Sequence, residues 1–146
     1  DPFVLVTKKN HPLSKYGKKV EGLKYPKIDL KHFKEEDFIL VEKGKGIRLV
    51  ADIIFKSLDI NPNIAMTTKN YETARRLAST GFGVTLIPFR YISIFEGQYD
   101  ADYYFIDNCE HSYWNACIAV NPNMYQSKIS KVFIDMVMEF FENQLI

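Results

Sequence analysis

The chain has 146 residues, of which 47% are hydrophobic and 14% aromatic, so it can bury the core of one domain and is not disordered. Its formal net charge of +1 does not indicate a nucleic-acid surface. No apolar run approaches the roughly 20 residues that span a bilayer, and the first ten residues lack the features of a signal peptide. Two cysteines do not make a disulfide framework, so we expect a cytoplasmic protein with reduced thiols and no membrane partner.

The first third of the chain predicts two strands separated by a basic segment. "FVLVTKK", residues 3–9, predicts a buried strand that ends at His11 and Pro12. Residues 8–34 are rich in lysine but poor in arginine and aromatic residues, so a solvated loop is favoured over a basic arm for nucleic acid. "DFILVE", residues 37–42, predicts the second strand.

A helix is predicted at residues 47–58, "IRLVADIIFKSL", because apolar residues recur there at helical spacing. The apolar face consists of Ile47, Val50, Ala51, Ile54 and Leu58. Arg48, Asp52 and Lys56 recur every four residues on a different face, where we expect a ladder of ion pairs.

The middle of the chain predicts a βαβ unit. "IAMTT", residues 64–68, predicts a strand, "YETARRLAST" a helix with Asn70 as its N-cap, and "GVTLIP" the next strand. Phosphate loops place glycine after a strand and before a helix, whereas Gly81 and Gly83 follow the helix and precede the strand. These glycines are therefore interpreted as structural, at a helix C-terminus.

The last third predicts a short helical turn at residues 90–97, a strand at 102–107 and a second apolar strand, "WNACIAVNP", at 114–122. A long amphipathic helix with Ser127 as its N-cap follows. Its apolar stripe, which must bury against a large surface, consists of Ile129, Val132, Phe133, Met136, Val137, Phe140 and Phe141.

Residues suited to catalysis or metal binding are few. The three histidines stand in unrelated contexts and no Gly-x-Ser-x-Gly motif is present, so we expect no catalytic residues. The spacing of Cys109, His111 and Cys117 matches no standard zinc pattern, so burial of the cysteines in the core is favoured over metal ligation. Neither a metal site nor a cofactor is expected.

Two stretches that join a strand to a helix suit a small polar or anionic ligand. In "EKGKGIR", Gly46 frees the backbone at a helix start that basic residues surround, although an ordinary flexible turn is the alternative. In "MTTKN", Met66, Thr67, Thr68 and Asn70 stand between the carboxyl end of a strand and a helix, where α/β sheets bind ligands. Helix capping by Thr68 and Asn70 is an equally good interpretation.

The ordered set "FVLVTKKNHPL", "FILVEKGKGIRLVADIIF" and "NYETARRLASTGFGVTLIP", followed by an apolar strand and an amphipathic helix, resembles the effector-binding domain of LysR-type transcriptional regulators. The resemblance covers nearly all of the chain. It implies an α/β fold like that of periplasmic binding proteins, with a Rossmann-like βαβ sheet and helices on both faces. Two lobes are joined by two crossing strands in that family, and a small-molecule effector binds in the cleft between them.

The resemblance also implies a domain organisation. Residues 1–8 would be one hinge strand, residues 9–109 the second effector-binding lobe, and residues 110–146 the other hinge strand and the C-terminal helix of the first lobe. The front of the first lobe and a winged helix-turn-helix domain that binds DNA would lie outside this chain. Because the family forms dimers or tetramers, we expect a homo-oligomer.

By resemblance, six residues form this chain's share of the effector site: Thr7, Gly46, Met66, Thr67, Thr68 and Asn70. Thr7 would add a polar group from the hinge side. The expected function is effector sensing in a cytoplasmic bacterial regulator. A lobe of an extracytoplasmic solute-binding protein shares the fold and is the alternative, and a small α/β enzyme is disfavoured because no acid, base and nucleophile stand together.

Overall fold

The computed structural model of the chain describes residues 1–94, 99–115, 117–123 and 125–142. The chain divides into two compact units, Asp1–Asn115 and Ala116–Ile146. Within the described residues, no helix is both long enough and apolar enough to cross a membrane.

The first unit contains six strands and three α-helices within its described part. The strands are β1 (Phe3–Lys8), β2 (Lys27–Ile28), β3 (Asp37–Val41), β4 (Asn63–Thr68), β5 (Thr85–Pro88) and β6 (Ala101–Ile106). The helices are α1 (Gly46–Ser57), α2 (Tyr71–Ser79) and α3 (Arg90–Ile94), and two 3₁₀ turns cover Pro12–Tyr16 and Leu30–Phe33.

The strands form one four-stranded sheet, in the order β2-β6-β1-β5, and one two-stranded sheet, β3-β4. β1 is antiparallel to β5 and β6, whereas β2 is parallel to β6 and β4 is parallel to β3. A parallel bridge between Phe38 and Val84 joins the two sheets, since Val84 N donates to Asp37 O at 2.8 Å and Ile39 N donates to Val84 O at 2.9 Å. β1 is therefore the one reversed strand among six described strands.

The four-stranded sheet is buried on both faces at β1, which confirms the prediction of helices on both sides. Phe3 and Leu5 of β1 pack in one core with the inner face of α1, whereas Val4 and Val6 pack in a second core with α2 and α3. The alternation follows from the period of two along a strand. The fold class predicted from the sequence is confirmed.

The βαβ unit forms as predicted, with β4 and β5 parallel on the two sides of β3. The amide of Thr73 donates to Oδ1 of Asn70 at 2.8 Å, which confirms Asn70 as the N-cap of α2. Gly81 has φ +88° directly after the C-cap of α2, and its amide donates to Ala78 O. The interpretation of Gly81 as a structural residue is confirmed.

The predicted orientation of α1 is wrong at Arg48. Its side chain is buried, where Nε donates to Oδ1 of Asp52 at 2.8 Å and Nη1 donates to Val41 O at 3.1 Å. Of the predicted ladder, the pair between Arg48 and Asp52 forms, and Lys56 pairs with no described residue. The guanidinium of Arg48 also bonds the helix to the end of β3. Phe55, which the apolar pattern left out, takes a core position instead.

The basic segment at residues 8–34 is more ordered than the predicted loop. It contains both the edge strand β2 and a 3₁₀ turn that begins at Leu30. Ile28, Leu30 and Phe33 are fully buried in the core beside β6 and α1. Three apolar side chains at short spacing are enough to anchor the segment while its lysines stay in solvent.

The strand predicted at residues 114–122 does not form in the described part of that segment. Only Tyr113 makes a bridge, to Pro2, and residues 117–120 have no strand assignment. Cys117 is exposed, so its predicted place in the core is wrong as well. An apolar run becomes a strand only where a second strand accepts its backbone hydrogen bonds, and the described chain supplies none at these residues.

The second unit contains the predicted amphipathic helix, α4 (Lys128–Glu142). Ser127 Oγ accepts from Ser130 N at 3.1 Å, which confirms Ser127 as the N-cap. The apolar stripe is exposed in this chain, with Phe133 and Met136 each 63% accessible.

Candidate functional site

Two loops lie side by side at the carboxyl edge of the parallel pair β3-β4. One leads from β3 into α1 and the other from β4 into α2. Glu42 N donates to Thr68 O at 2.9 Å, which joins the two strand ends directly. This edge therefore brings together Gly46, Met66, Thr67, Thr68 and Asn70, five of the six residues predicted from the sequence.

Thr68 and Asn70 shape the loop between β4 and α2. Thr68 is nearly buried, and its hydroxyl donates to the carbonyl oxygen of Asn70 at 2.8 Å. Asn70 uses its side-chain oxygen to cap α2, and the residue itself is exposed. Asn70 therefore caps the helix, whereas Thr68 does not, because its hydroxyl donates to a carbonyl oxygen. The side-chain nitrogen Nδ2 of Asn70 makes no hydrogen bond to a described residue, so it can donate to a ligand.

Thr67 and Met66 lie on opposite faces of β4. Thr67 is aligned with Leu40, on the α1 side of the sheet, whereas Met66 is aligned with Ile39, on the other side. Both are exposed. The hydroxyl of Thr67 makes no hydrogen bond to any described residue, so it can donate to a ligand.

The first turn of α1 is uncapped. Its N-cap, Lys45, makes no side-chain hydrogen bond to the turn, and Gly46 is exposed at the first helical position. Lys45 pairs with Glu42 at 3.8 Å, so one cation of the loop is partly compensated. The backbone amides of this turn can donate hydrogen bonds to an anionic group, which the helix dipole also favours.

Thr7 lies at the opposite edge of the sheet. It is aligned with Asp102, near the start of β6, and its hydroxyl donates to Lys8 O at 3.0 Å. Thr7 is four positions along the strand, about 13 Å, from Phe3 at the carboxyl edge. Because β1 is reversed, its first residue and not Thr7 lies at the carboxyl edge, and the structure does not bring Thr7 together with the other five residues.

An aromatic row lies beside the two loops and was not predicted from the sequence. Tyr71, the first residue of α2, stacks on Tyr91 with ring centroids 3.9 Å apart and planes 6° apart. The ring of Trp114 lies 5.9 Å from that of Tyr91. Burial raises the pKa of both Tyr71 and Tyr91, so both phenols are neutral at physiological pH.

Arg75 of α2 is the second feature that the sequence pattern did not reveal. It is 1% exposed, and its guanidinium donates to the phenolic oxygen of Tyr103 and to Tyr91 O, each at 3.1 Å. Glu72 lies 3.7 Å from the guanidinium, with both carboxylate oxygens buried. These contacts tie the helix that begins at the candidate site to α3 and β6.

No cluster of three or more metal-ligating side chains occurs among the described residues. Cys109 lies 3.4 Å from the hydroxyl of Ser57, measured between sulfur and oxygen. His11 accepts from Leu13 N, lies 3.6 Å from Glu36 and packs its ring against Phe33. It therefore has structural contacts in the turn that follows β1.

The family described as LysR substrate binding domain matches residues 1–142. The uncharacterized HTH-type transcriptional regulator YybE of Bacillus subtilis is 33% identical over 61 residues, which are 42% of this chain and 21% of that protein. The HTH-type transcriptional regulator CfxR of Cupriavidus necator is 31% identical over 86 residues, 59% of this chain and 24% of that protein. The chain thus aligns with less than a quarter of the length of either relative.

Solved structures share the fold. The effector binding domain of QuiR in complex with shikimate matches with a TM-score of 0.71 and 22% identity, over 99% of this chain and 63% of that one. The Synechocystis PCC6803 CcmR regulatory domain in complex with 2-PG matches with a TM-score of 0.71 and 19% identity, over 98% of this chain and 64% of that one. Full-length CbnR with its target DNA matches with a TM-score of 0.57 and 19% identity, over 75% of this chain and 35% of that one.

A lobe of a solute-binding protein, the alternative expected from the sequence, is not favoured, because both relatives are transcriptional regulators and the family match spans both units. The fold is that of periplasmic binding proteins, as the resemblance implied. The chain belongs to the LysR substrate-binding domain family.

Proposed function

We propose that this chain senses a small polar or anionic effector at the carboxyl edge of β3 and β4, within a LysR-type transcriptional regulator. The ligand would contact Gly46, Met66, Thr67, Thr68 and Asn70. Thr7 is left out because its hydroxyl is engaged at the opposite edge.

The observation that carries the proposal is the convergence of two helix starts on one pair of bonded strand ends. The hydrogen bond from Glu42 N to Thr68 O holds the uncapped first turn of α1 beside the end of β4, where the Thr67 hydroxyl has no partner among the described residues. Ligands of open α/β sheets bind at such edges. The solved relatives with bound shikimate and 2-PG support a small anionic effector in this fold.

Partners and boundaries follow from the family. We propose that residues 1–8 form one hinge strand, residues 9–109 the second effector-binding lobe, and residues 110–146 the other hinge strand and the C-terminal helix of the first lobe. DNA would be bound by a helix-turn-helix domain of the longer protein. The solved complex of CbnR with DNA supports that role. A cytoplasmic homo-oligomer without catalytic activity, metal or cofactor completes the proposal.

Thermal unfolding of the 146-residue chain in the presence of small anions tests the binding function. A ligand that binds only the folded state raises the midpoint temperature. At 100 times its dissociation constant, such a ligand increases the free energy of unfolding by about 2.7 kcal/mol. We expect at least one compound from a panel of shikimate, benzoate, 2-PG, citrate and phosphate to raise the midpoint saturably. A panel that leaves the midpoint unchanged at millimolar concentration would contradict the proposal.

A further inference from the structure

We propose that Trp114 contacts the effector, which is then a ring that carries an anionic group. The inference rests on the proposed function, because it adds a residue and a ligand class to the same site. Trp114 lies far from both loops in sequence and belongs to no strand or helix.

The indole of Trp114 lies at the first turn of α1. A Cβ built on Gly46 would be 3.9 Å from the indole nitrogen, Nε1. This nitrogen can only donate a hydrogen bond, and it donates none to the described part of the chain. The indole N–H therefore lies beside the first turn of α1, which has no side-chain cap, and within the described part of the chain the indole has no acceptor.

The rings beside this group of donors suit a flat ligand. Trp114 is partly buried against the core that contains α1, and its ring meets Tyr91 at an interplanar angle of 53°. Tyr91 in turn stacks on Tyr71 at the start of α2. A ring would pack against this aromatic row with the geometry that aromatic pairs prefer, while its anionic group accepts from the indole N–H.

The backbone of Trp114 is held in place before any ligand arrives. Trp114 N donates to Asp1 O at 2.8 Å, Asp1 N donates to Trp114 O at 3.0 Å, and Tyr113 bridges Pro2. Asp1 also accepts from Arg90 N through Oδ1 at 3.2 Å. Little further order is therefore needed at Trp114 when a ligand binds.

Trp114 is the only tryptophan in the chain, so its emission reports on this site alone. We would titrate the chain with benzoate and with shikimate, which carry a carboxylate on a ring, and with acetate and inorganic phosphate as controls without a ring. Both ring carboxylates are expected to change the emission saturably, with affinities about tenfold above that of acetate, because acetate lacks the ring contact.

Two variants make the test specific. Trp114→Phe keeps a ring against the core but removes the N–H donor, so we expect an affinity loss of about tenfold. Gly46→Ala introduces a methyl group at ordinary contact distance from the indole, in the space assigned to the ligand. We expect Gly46→Ala to keep the fold and emission of the free chain and to weaken binding by a similar factor.

Binding to the unaltered chain and to both variants would be followed by amide chemical shifts. The results distinguish the proposed effector site from the proposed role of Trp114. If ring carboxylates perturb the amides of residues 42–48 and 66–71 without changing the emission, and both variants bind equally well, the role of Trp114 is overturned and the effector site stands. If no probe perturbs those amides, both proposals are overturned. If Trp114→Phe does not fold, Gly46→Ala and the emission of the unaltered chain decide the question.

Discussion

The hydroxyl of Thr68 donates to the carbonyl oxygen of Asn70 at 2.8 Å, so a residue that the sequence predicts as a ligand contact also stabilises its own loop. Thr68 is nearly buried at the end of β4. Its carbonyl oxygen accepts from Glu42 N and fixes the neighbouring loop. Thr68 therefore helps to fix the conformation of both loops at the candidate site.

Thr68→Val is expected to lower the free energy of unfolding by about 1 kcal/mol, because it removes one hydrogen bond without changing the side-chain volume. Thr68→Ser keeps the hydroxyl and should cost less. Urea unfolding followed by circular dichroism measures both variants. A stability for Thr68→Val equal to that of the unaltered chain would show that the bond to Asn70 contributes nothing.

Thr67 separates binding from stability. Its hydroxyl is exposed and has no partner among the described residues, so Thr67→Val should leave the free energy of unfolding within about 0.5 kcal/mol. The affinity for whichever anion stabilises the chain should fall several-fold, and Thr67→Ser should restore it. Calorimetric titration of the two variants compares them directly. Equal affinity in Thr67→Val would remove Thr67 from the site.

Arg75 should be the most sensitive position of α2. Arg75→Met leaves the carboxylate of Glu72 without its buried cation, and breaking a buried pair costs about 3–5 kcal/mol. Adding Glu72→Gln removes the uncompensated charge, so the double variant should recover part of the lost stability. Tyr103→Phe removes a single hydrogen bond and should cost about 1 kcal/mol. Additive losses in the double variant would show that the two side chains are not coupled.

Gly83 lies where the residue before β5 bonds to the start of β3. A Cβ at this position would overlap the carbonyl oxygen of Asp37, which accepts the Val84 amide that joins the two sheets. Gly83→Ala should therefore disrupt the junction and lower the melting temperature strongly. Gly22→Ala is the control, because Gly22 has φ +81° in open space and should cost only about 1–2 kcal/mol of backbone strain. Similar losses at both positions would contradict the packing explanation.

Tyr104 gives the stability a pH dependence in alkaline solution. Burial raises the pKa of Tyr104 above its usual 10.0, and its hydroxyl donates to Ser14 Oγ at 2.7 Å. Because the folded state binds this proton more tightly than the unfolded state, the contribution is present below pH 10.0 and is lost as the pH rises through the folded pKa. Tyr104→Phe should flatten this alkaline loss in part, since Tyr71 and Tyr91 also have raised pKa values. Urea unfolding at several pH values checks the slope, and an unchanged slope in the variant would assign the loss to other groups.

Local patterns predicted the elements whose partners are close in sequence. β4, α2 and β5 follow from a capping asparagine, a helical apolar stripe and a glycine at the helix end. The pattern failed where the decisive contact comes from elsewhere. Arg48 turns inward because the carbonyl of Val41 needs a donor, and the run after Trp114 stays irregular because the described chain offers it no partner strand.

The site was predictable only in part for the same reason. Residues at the end of a strand or just after it, such as Thr67 and Asn70, could be placed at a sheet edge once the strands were taken as parallel. Thr7 could not be placed, because the reversal of β1 depends on its pairing with β5 and β6. The aromatic row unites Tyr71, Tyr91 and Trp114, which stand 20 and 23 positions apart in sequence, and no local signal connects them.

The most direct test of the effector site is a map of amide chemical shifts in the isotope-labelled chain, with the anion that most stabilises it as the titrant. We predict saturable changes concentrated at residues 42–48 and 66–71, where the loops after β3 and β4 meet. Changes concentrated around Thr7 and Asp102 at the opposite edge, or in α4, would contradict the account.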